Sequence, residues 1–165
     1  MRTKKTKVLP FKRKRQGKTD YRLRLRLVSS KKPRLVVRRS LQDISVQIIV
    51  YSAKGDKVVA TANGKELKKA YGWNGAVRNT PGAYLVGYLA AIKAKKAKVT
   101  EAIVDIGLRR AVKGAIVLVA AKGALDAGLK IPLSEEILPA DDRIKGKHMK
   151  HSLFDKVLEN IKAKA

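Results

Sequence analysis

The chain of 165 residues predicts an α/β layer fold with a mixed sheet, and three observations carry that prediction. Short runs rich in β-branched residues crowd into the first half of the central region, as half-buried strands require. Two longer apolar segments with helical punctuation come later. One further apolar run, "TEAIVDIGL", separates those two segments, so strands and helices must share one core.

The elements follow in order. The first forty residues hold seventeen lysines and arginines against one acid, Asp20. Such a stretch cannot gather enough apolar surface to offset the entropy of ordering itself, so residues 1–32 are expected to form a basic arm that takes its shape from a partner. Within the arm, "TDYRLRLRLV" alternates like a strand from Arg22 to Leu27. Thr19 or Asp20 could equally cap a helix with Leu23 and Leu27 on one face, and periodicity leaves both open.

From Arg34 onward "PRLVVRRS", "ISVQIIVYS" and "KVVATA" read as three strands, the last two joined by a turn at Ala53–Asp56. "NGKELKKAYGWNGAVRN" reads as a helical turn and a glycine-rich loop. Thr80 and Pro81 then open a helix with a capping hydroxyl and a first-turn proline; Leu85, Leu89 and Ile92 form its apolar stripe. After "TEAIVDIGL" and the basic loop "RRAVKG", the span from Lys113 to Ala127, stopped by Gly128, favours a helix over a strand. The core is therefore placed at 33–132. Residues 133–165 form a polar extension ending in a short helix, where Ser152 and Asp155 resemble a capping box.

Charge narrows the function. With 39 basic and 13 acidic residues the net charge is +26, and the part after residue 40 still holds 22 basic side chains against 12 acids. A polyanionic partner is implied, because each phosphate neutralised by Lys or Arg releases condensed counterions. Nucleic acid comes first. An anionic membrane surface fares worse, since the arm has too few bulky apolar residues to anchor in an interface. The chain has no cysteine, hence no disulfide framework or thiolate metal site, and it shows no signal-like apolar segment; a soluble, cytoplasmic protein is expected.

Catalysis has little to stand on. His148 and His151 lie among lysines and lack a third ligand, and the pairs Glu135–Glu136 and Asp141–Asp142 lie in polar loops, so neither a metal nor any other cofactor is expected. No phosphate loop, nucleophile with a base, or small-molecule site is apparent. "YGWNGAVRN" admits two readings: a structural loop, or a nucleic-acid contact with Tyr71 and Trp73 as stacking faces and Asn74, Arg78 and Asn79 as donors. In "PRLVVRRS", strand alternation puts Arg34, Val36, Arg38 and Ser40 on one face and Leu35, Val37 and Arg39 on the other. A face so cationic repels itself unless an anion lies over it, and a phosphate backbone would serve.

Several stretches, in order, resemble one family: "GKTDYRLRLRLV", "KPRLVVRRS", "YGW", "AYLVGYLAA", "VDIGL", "KGALDAGLKIP", "SEEILP" and "DRIKGKHM". They are similar to the archaeal branch of the universal large-subunit ribosomal protein family that binds 5S rRNA, the eighteenth in the large-subunit naming. The resemblance implies a three-layer α/β/α core with ribonuclease H-like topology and a mixed five-stranded sheet. It further implies helices at "TDYRLRLRLV" and "KGAIVLVAAKGALDAG", and a place in the central protuberance of the large ribosomal subunit. Implied partners are 5S rRNA, large-subunit rRNA and neighbouring ribosomal proteins.

Nucleases of that topology hold metal on first-strand carboxylates; here the first strand carries arginines, and Asp105 is the only acid on a later core strand. An architectural nucleic-acid-binding protein without 5S specificity remains the other reading. The candidate RNA-binding residues are Arg13, Arg15, Arg22, Arg24, Arg26, Arg34, Arg38 and Arg39, whose planar forks suit phosphates and bases. Ser40 lies beside them on the strand. Lys12, Lys14 and Lys18 are neutralising contacts, and Asn74, Arg78 and Thr80 are loop contacts.

Overall fold

The computed structural model describes residues 8–149 and 153–164. Short helices α1 (Lys12–Arg15) and α2 (Tyr21–Ser29) precede three strands, β1 (Arg34–Arg39), β2 (Ile44–Val50) and β3 (Lys57–Asn63). Then come α3 (Gly64–Tyr71), α4 (Thr80–Lys96), β4 (Ile103–Asp105) and α5 (Ile116–Asp126). A 3-10 turn at Glu135–Ile137, α6 (Asp141–Ile144) and α7 (Phe154–Lys164) complete it. The sheet order is β3-β2-β1-β4, with β1 antiparallel to β2, β2 antiparallel to β3, and β1 parallel to β4.

Among the described residues the sheet has four strands where the resemblance implies five. Beyond β4 a single parallel bridge joins Glu101 and Lys130. There the Lys130 amide donates to Thr100 O at 2.9 Å and the Ala102 amide donates to Lys130 O at 3.0 Å. The next donor in a parallel ladder would be residue 132, and Pro132 has no N–H to give.

One sheet face carries the core. Leu35, Val37, Ile44, Val46, Ile48 and Ala62 are all fully buried beneath α4 and α5. Those helices meet backbone to backbone: a Cβ on Gly87 would lie 1.9 Å from Ala120 O, and one on Gly123 would lie 2.2 Å from Tyr84 O. Glycine is required at both positions because no side chain fits between the helices. The apolar side of α7, formed by Phe154, Val157 and Ile161, joins the same core, with the Phe154 ring 5.4 Å from that of Tyr84. The polar-looking tail is thereby tied to the core by an apolar helix face, and Ile144 of α6 is buried there as well.

The strand-or-helix ambiguity at "TDYRLRLRLV" resolves to helix. The Asp20 carboxylate caps α2, accepting from the amides of Arg22 at 2.9 Å and Leu23 at 3.2 Å. At α4 the cap is Asn79 rather than Thr80: the Asn79 side chain accepts from the Gly82 amide at 2.9 Å, and Pro81 sits in the first turn. An amide oxygen reaches that donor as well as a hydroxyl does. Helix α5 begins three residues later than Lys113 and is followed by Gly128 at φ +91°. Ser152 of the expected capping box and His151 lie outside the described residues.

Candidate nucleic-acid interface

The face of the sheet opposite the core carries the charge. Arginines 34 and 38 of β1 project there, with α2 lying over them, and a cleft between helix and sheet is lined by Arg13, Lys18, Arg24, Arg34 and Arg38. The same cleft contains Asp20, Asp56 and Asp105.

Those acids answer the question raised by the cationic strand. Arg34 is only 4 % exposed. It donates from Nη2 to Asp56 Oδ2 at 2.7 Å and from Nη1 to Asp105 Oδ2 at 3.3 Å. Arg38 donates to Asp105 Oδ1 at 2.9 Å and to Asp105 O at 2.7 Å, and Arg24 reaches Asp56 Oδ2 at 2.9 Å. The Gly107 amide adds a further donor to Asp105 Oδ1 at 2.9 Å. The anion over Arg34 therefore comes from the chain itself. Asp105 and Asp56 form a chain of charge linking β4, β1, the β2–β3 turn and α2. Asp105 could be found in the sequence as the one acid on a later core strand; its partners could not.

The other candidates divide by environment. Lys12, Arg13, Lys14, Arg15 and Lys18 are exposed around α1, which contains no acid. Arg13 Nε donates to Thr19 Oγ1 at 2.8 Å, and the Phe11 and Tyr21 rings, 5.1 Å apart, fasten α1 to α2. Arg22 and Arg26 lie one turn apart on the solvent side of α2, while Leu23 and Leu27 turn toward the sheet.

Ser40 is exposed, but its hydroxyl is occupied in the β1–β2 turn, accepting from the Asp43 amide at 2.9 Å. Arg78 is exposed and donates to Leu41 O at 2.5 Å, which places it beside that turn. Asn74 is exposed, whereas Thr80 is buried in the first turn of α4. These last three do not share the cleft under α2.

The glycine-rich loop is structural at its centre. Trp73 is 2 % exposed and its Nε1 donates to Ala76 O at 3.2 Å, so its ring cannot serve as a stacking face. A Cβ on Gly75 would come within 2.9 Å of that ring. Tyr71 is half-buried under the Lys164 ammonium, 5.6 Å from its centroid. Burial, with Glu66 nearby, raises its phenol above the ordinary value.

Among the described residues no three His, Asp or Glu side chains cluster as metal ligands. Asp142 is paired with Lys147 at 2.6 Å; the contact holds the Asp142 carboxyl below its ordinary range and pushes the Lys147 ammonium up. No helix among the described residues is long and apolar enough to cross a membrane. Arg109 and Arg110, read in the sequence only as part of a basic loop, stand exposed after β4, and Arg109 donates to Arg39 O at 3.2 Å.

Comparison with known proteins agrees with this cationic picture. Residues 5–99 and 92–134 match the family described as ribosomal large subunit proteins 60S L5 and 50S L18. The chain is 57 % identical over 141 residues to the large ribosomal subunit protein uL18 of Thermofilum pendens, covering 86 % of this chain and 71 % of that one. Against uL18 of Korarchaeum cryptofilum it is 55 % identical over 139 residues, 84 % of this chain and 71 % of the other. Against uL18 of Methanoregula boonei it is 52 % identical over 142 residues, 86 % and 81 %. These relatives are ribosomal proteins and not enzymes. A mixed α/β core carrying an arginine-rich face, matched by one family through most of its length, makes this chain a member of the large-subunit ribosomal protein family of 60S L5 and 50S L18.

Proposed function

We propose that this protein binds 5S rRNA and anchors it to large-subunit rRNA in the central protuberance, as a structural part of the ribosome without turnover. The observation that carries this reading is the un-neutralised cation surface of α1 and α2. Lys12, Arg13, Lys14, Arg15, Lys18, Arg22 and Arg26 are exposed around helices whose one acid, Asp20, is engaged as a cap. Side chains cannot read the deep, narrow major groove of an A-form helix, so recognition falls to phosphates, 2′-hydroxyls and shape, all of which suit such a surface.

In this reading Arg34 and Arg24 act inside the protein, holding α2 at a fixed angle over the sheet through Asp56 and Asp105. Arg38, whose side chain is 47 % exposed, both braces Asp105 and reaches solvent. Arg39, Asn74 and Arg78 supply contacts at the loop end of the molecule, while Thr80 supports the α4 start. The reading also takes the Glu101–Lys130 bridge as the rudiment of a fifth strand in a three-layer, ribonuclease H-like core. Neighbouring large-subunit proteins are the remaining partners.

The test is competition binding of labelled 5S rRNA against tRNA and duplex DNA of equal length, at about physiological salt where non-specific electrostatics fade. Preference for 5S rRNA by two orders of magnitude or more is expected. Equal binding to all three would replace this reading with a general architectural one.

A further inference from the structure

We infer that the loop following β4 forms a second RNA site, one that takes unpaired nucleotides rather than duplex. The inference rests on the reading above, that the partner is RNA. A cleft of about 550 Å³ opens beside the C-terminal ends of the parallel strands β1 and β4, the place where open α/β sheets expose their loops to ligands. Arg39, Arg109 and Arg110 line it together with Leu108 and Val112, and no carboxylate of the described residues does.

That composition sets it apart from the cleft under α2. There, Asp56 and Asp105 pair with the arginines; here, the Arg39 and Arg110 side chains have no partner among the described residues. Leu108 and Val112 are each 56 % exposed between these guanidiniums. Two bulky apolar side chains held in solvent among arginines suit neither a phosphate backbone alone nor an acidic protein surface. They suit a nucleobase, which offers an apolar face to Leu108 and Val112 and a π-system over which a guanidinium stacks, while its phosphate meets the next arginine. In a duplex those faces are hidden in the stack; in a loop or bulge they are free.

The experiment compares full-length protein binding to two RNA probes. One is a hairpin with an unpaired loop of about eight nucleotides, within the usual span of a single-strand site. The other is the same stem closed by a minimal loop. The unaltered protein is expected to favour the open loop by about tenfold, the scale of one stacked base.

Arg109→Gln with Arg110→Gln should abolish that preference while stem affinity persists. Arg13→Gln with Arg15→Gln should weaken both probes and leave the preference intact. Should the double variant at 109 and 110 melt early, Arg110→Gln alone, whose side chain has no partner to lose, reads the same effect. Equal affinity of the unaltered protein for both hairpins, or a preference that survives loss of both arginines, overturns the inference while leaving RNA binding in place. Failure to bind either hairpin or 5S rRNA overturns the functional reading together with it.

Discussion

Replacing Asp105 by alanine takes one carboxylate from between two guanidiniums of very different exposure. Arg34 loses its 3.3 Å contact in a site 4 % open to solvent and keeps only Asp56 at 2.7 Å. Arg38 loses a 2.9 Å contact but is nearly half exposed, and its bond to the residue's main-chain oxygen at 2.7 Å survives. The Gly107 amide loses its acceptor as well.

Breaking a buried pair costs about 3 to 5 kcal/mol, and the retained Asp56 contact puts Arg34 at the lower end of that range. The exposed Arg38 pair contributes well under 1 kcal/mol after screening. The total is about 3 kcal/mol, and at about 2 to 4 °C per kcal/mol for a domain of this size the midpoint should fall by roughly 6 to 12 °C. Thermal melting followed by circular dichroism measures it. Replacing Arg34 and Asp105 together by Met and Leu should recover most of the loss, because a buried ion pair exchanged for apolar groups of similar volume is close to neutral. An Asp105→Ala midpoint within about 2 °C of the unaltered protein would refute the clamp. A full loss of RNA binding with no change in melting would make Asp105 a binding residue instead.

Other consequences follow from the same structure. Since Trp73 is the only tryptophan and is enclosed, its fluorescence should be blue-shifted and unchanged on adding saturating RNA; strong quenching would return it to the interface. Gly87→Ala drives a methyl into a main-chain carbonyl that cannot turn aside, so it should destabilise by about 3 kcal/mol or more despite alanine's better helix propensity, read as denaturant midpoint. The Tyr84 hydroxyl donates to Asp126 at 2.9 Å, and burial followed by that contact raises its phenol well above 10.0. Unfolded tyrosine ionises near pH 10 while the folded one stays protonated, so stability should fall as pH rises above that value, and Tyr84→Phe should flatten the decline in alkaline urea titrations. Changing Lys12, Lys14 and Lys18 together to alanine should reduce the slope of log affinity against log salt by roughly 2 to 3, and an unaltered slope would remove those lysines from the contact.

The elements were legible wherever local chemistry was decisive. Asp20 before an amphipathic run, Gly128 after an apolar one, and β-branched runs around a glycine turn each carry their own instruction. The sequence could not reveal features that depend on long-range partners. Arg34 and Asp105 are 71 residues apart, and nothing local to "RLVVRR" says that its anion comes from β4. Trp73 in a loop of glycines carries the same residue types whether it plugs a core or faces a base. The tail looks polar by composition, yet Ile144 and the residues at positions 154, 157 and 161 are buried in the core. The fifth strand implied by resemblance is reduced to one bridge by a proline whose effect appears only once the ladder is drawn.

The arginines of this chain sort by counterion more than by position. Arg24, Arg34 and Arg38 have carboxylates within 3.3 Å, and an incoming phosphate must compete with those acids for them. For Arg34 the competition is already lost, because burial magnifies the attraction to Asp56 and Asp105 and leaves no room for a hydrated phosphate. Arg22, Arg26, Arg39 and Arg110 have no such acid among the described residues, and a polyanionic partner would relieve their mutual repulsion. RNA affinity should accordingly track the unpaired set, while folding stability tracks the paired one. The same division explains why a strand face so rich in arginine is compatible with a stable free protein: two aspartates hold it together before any RNA arrives.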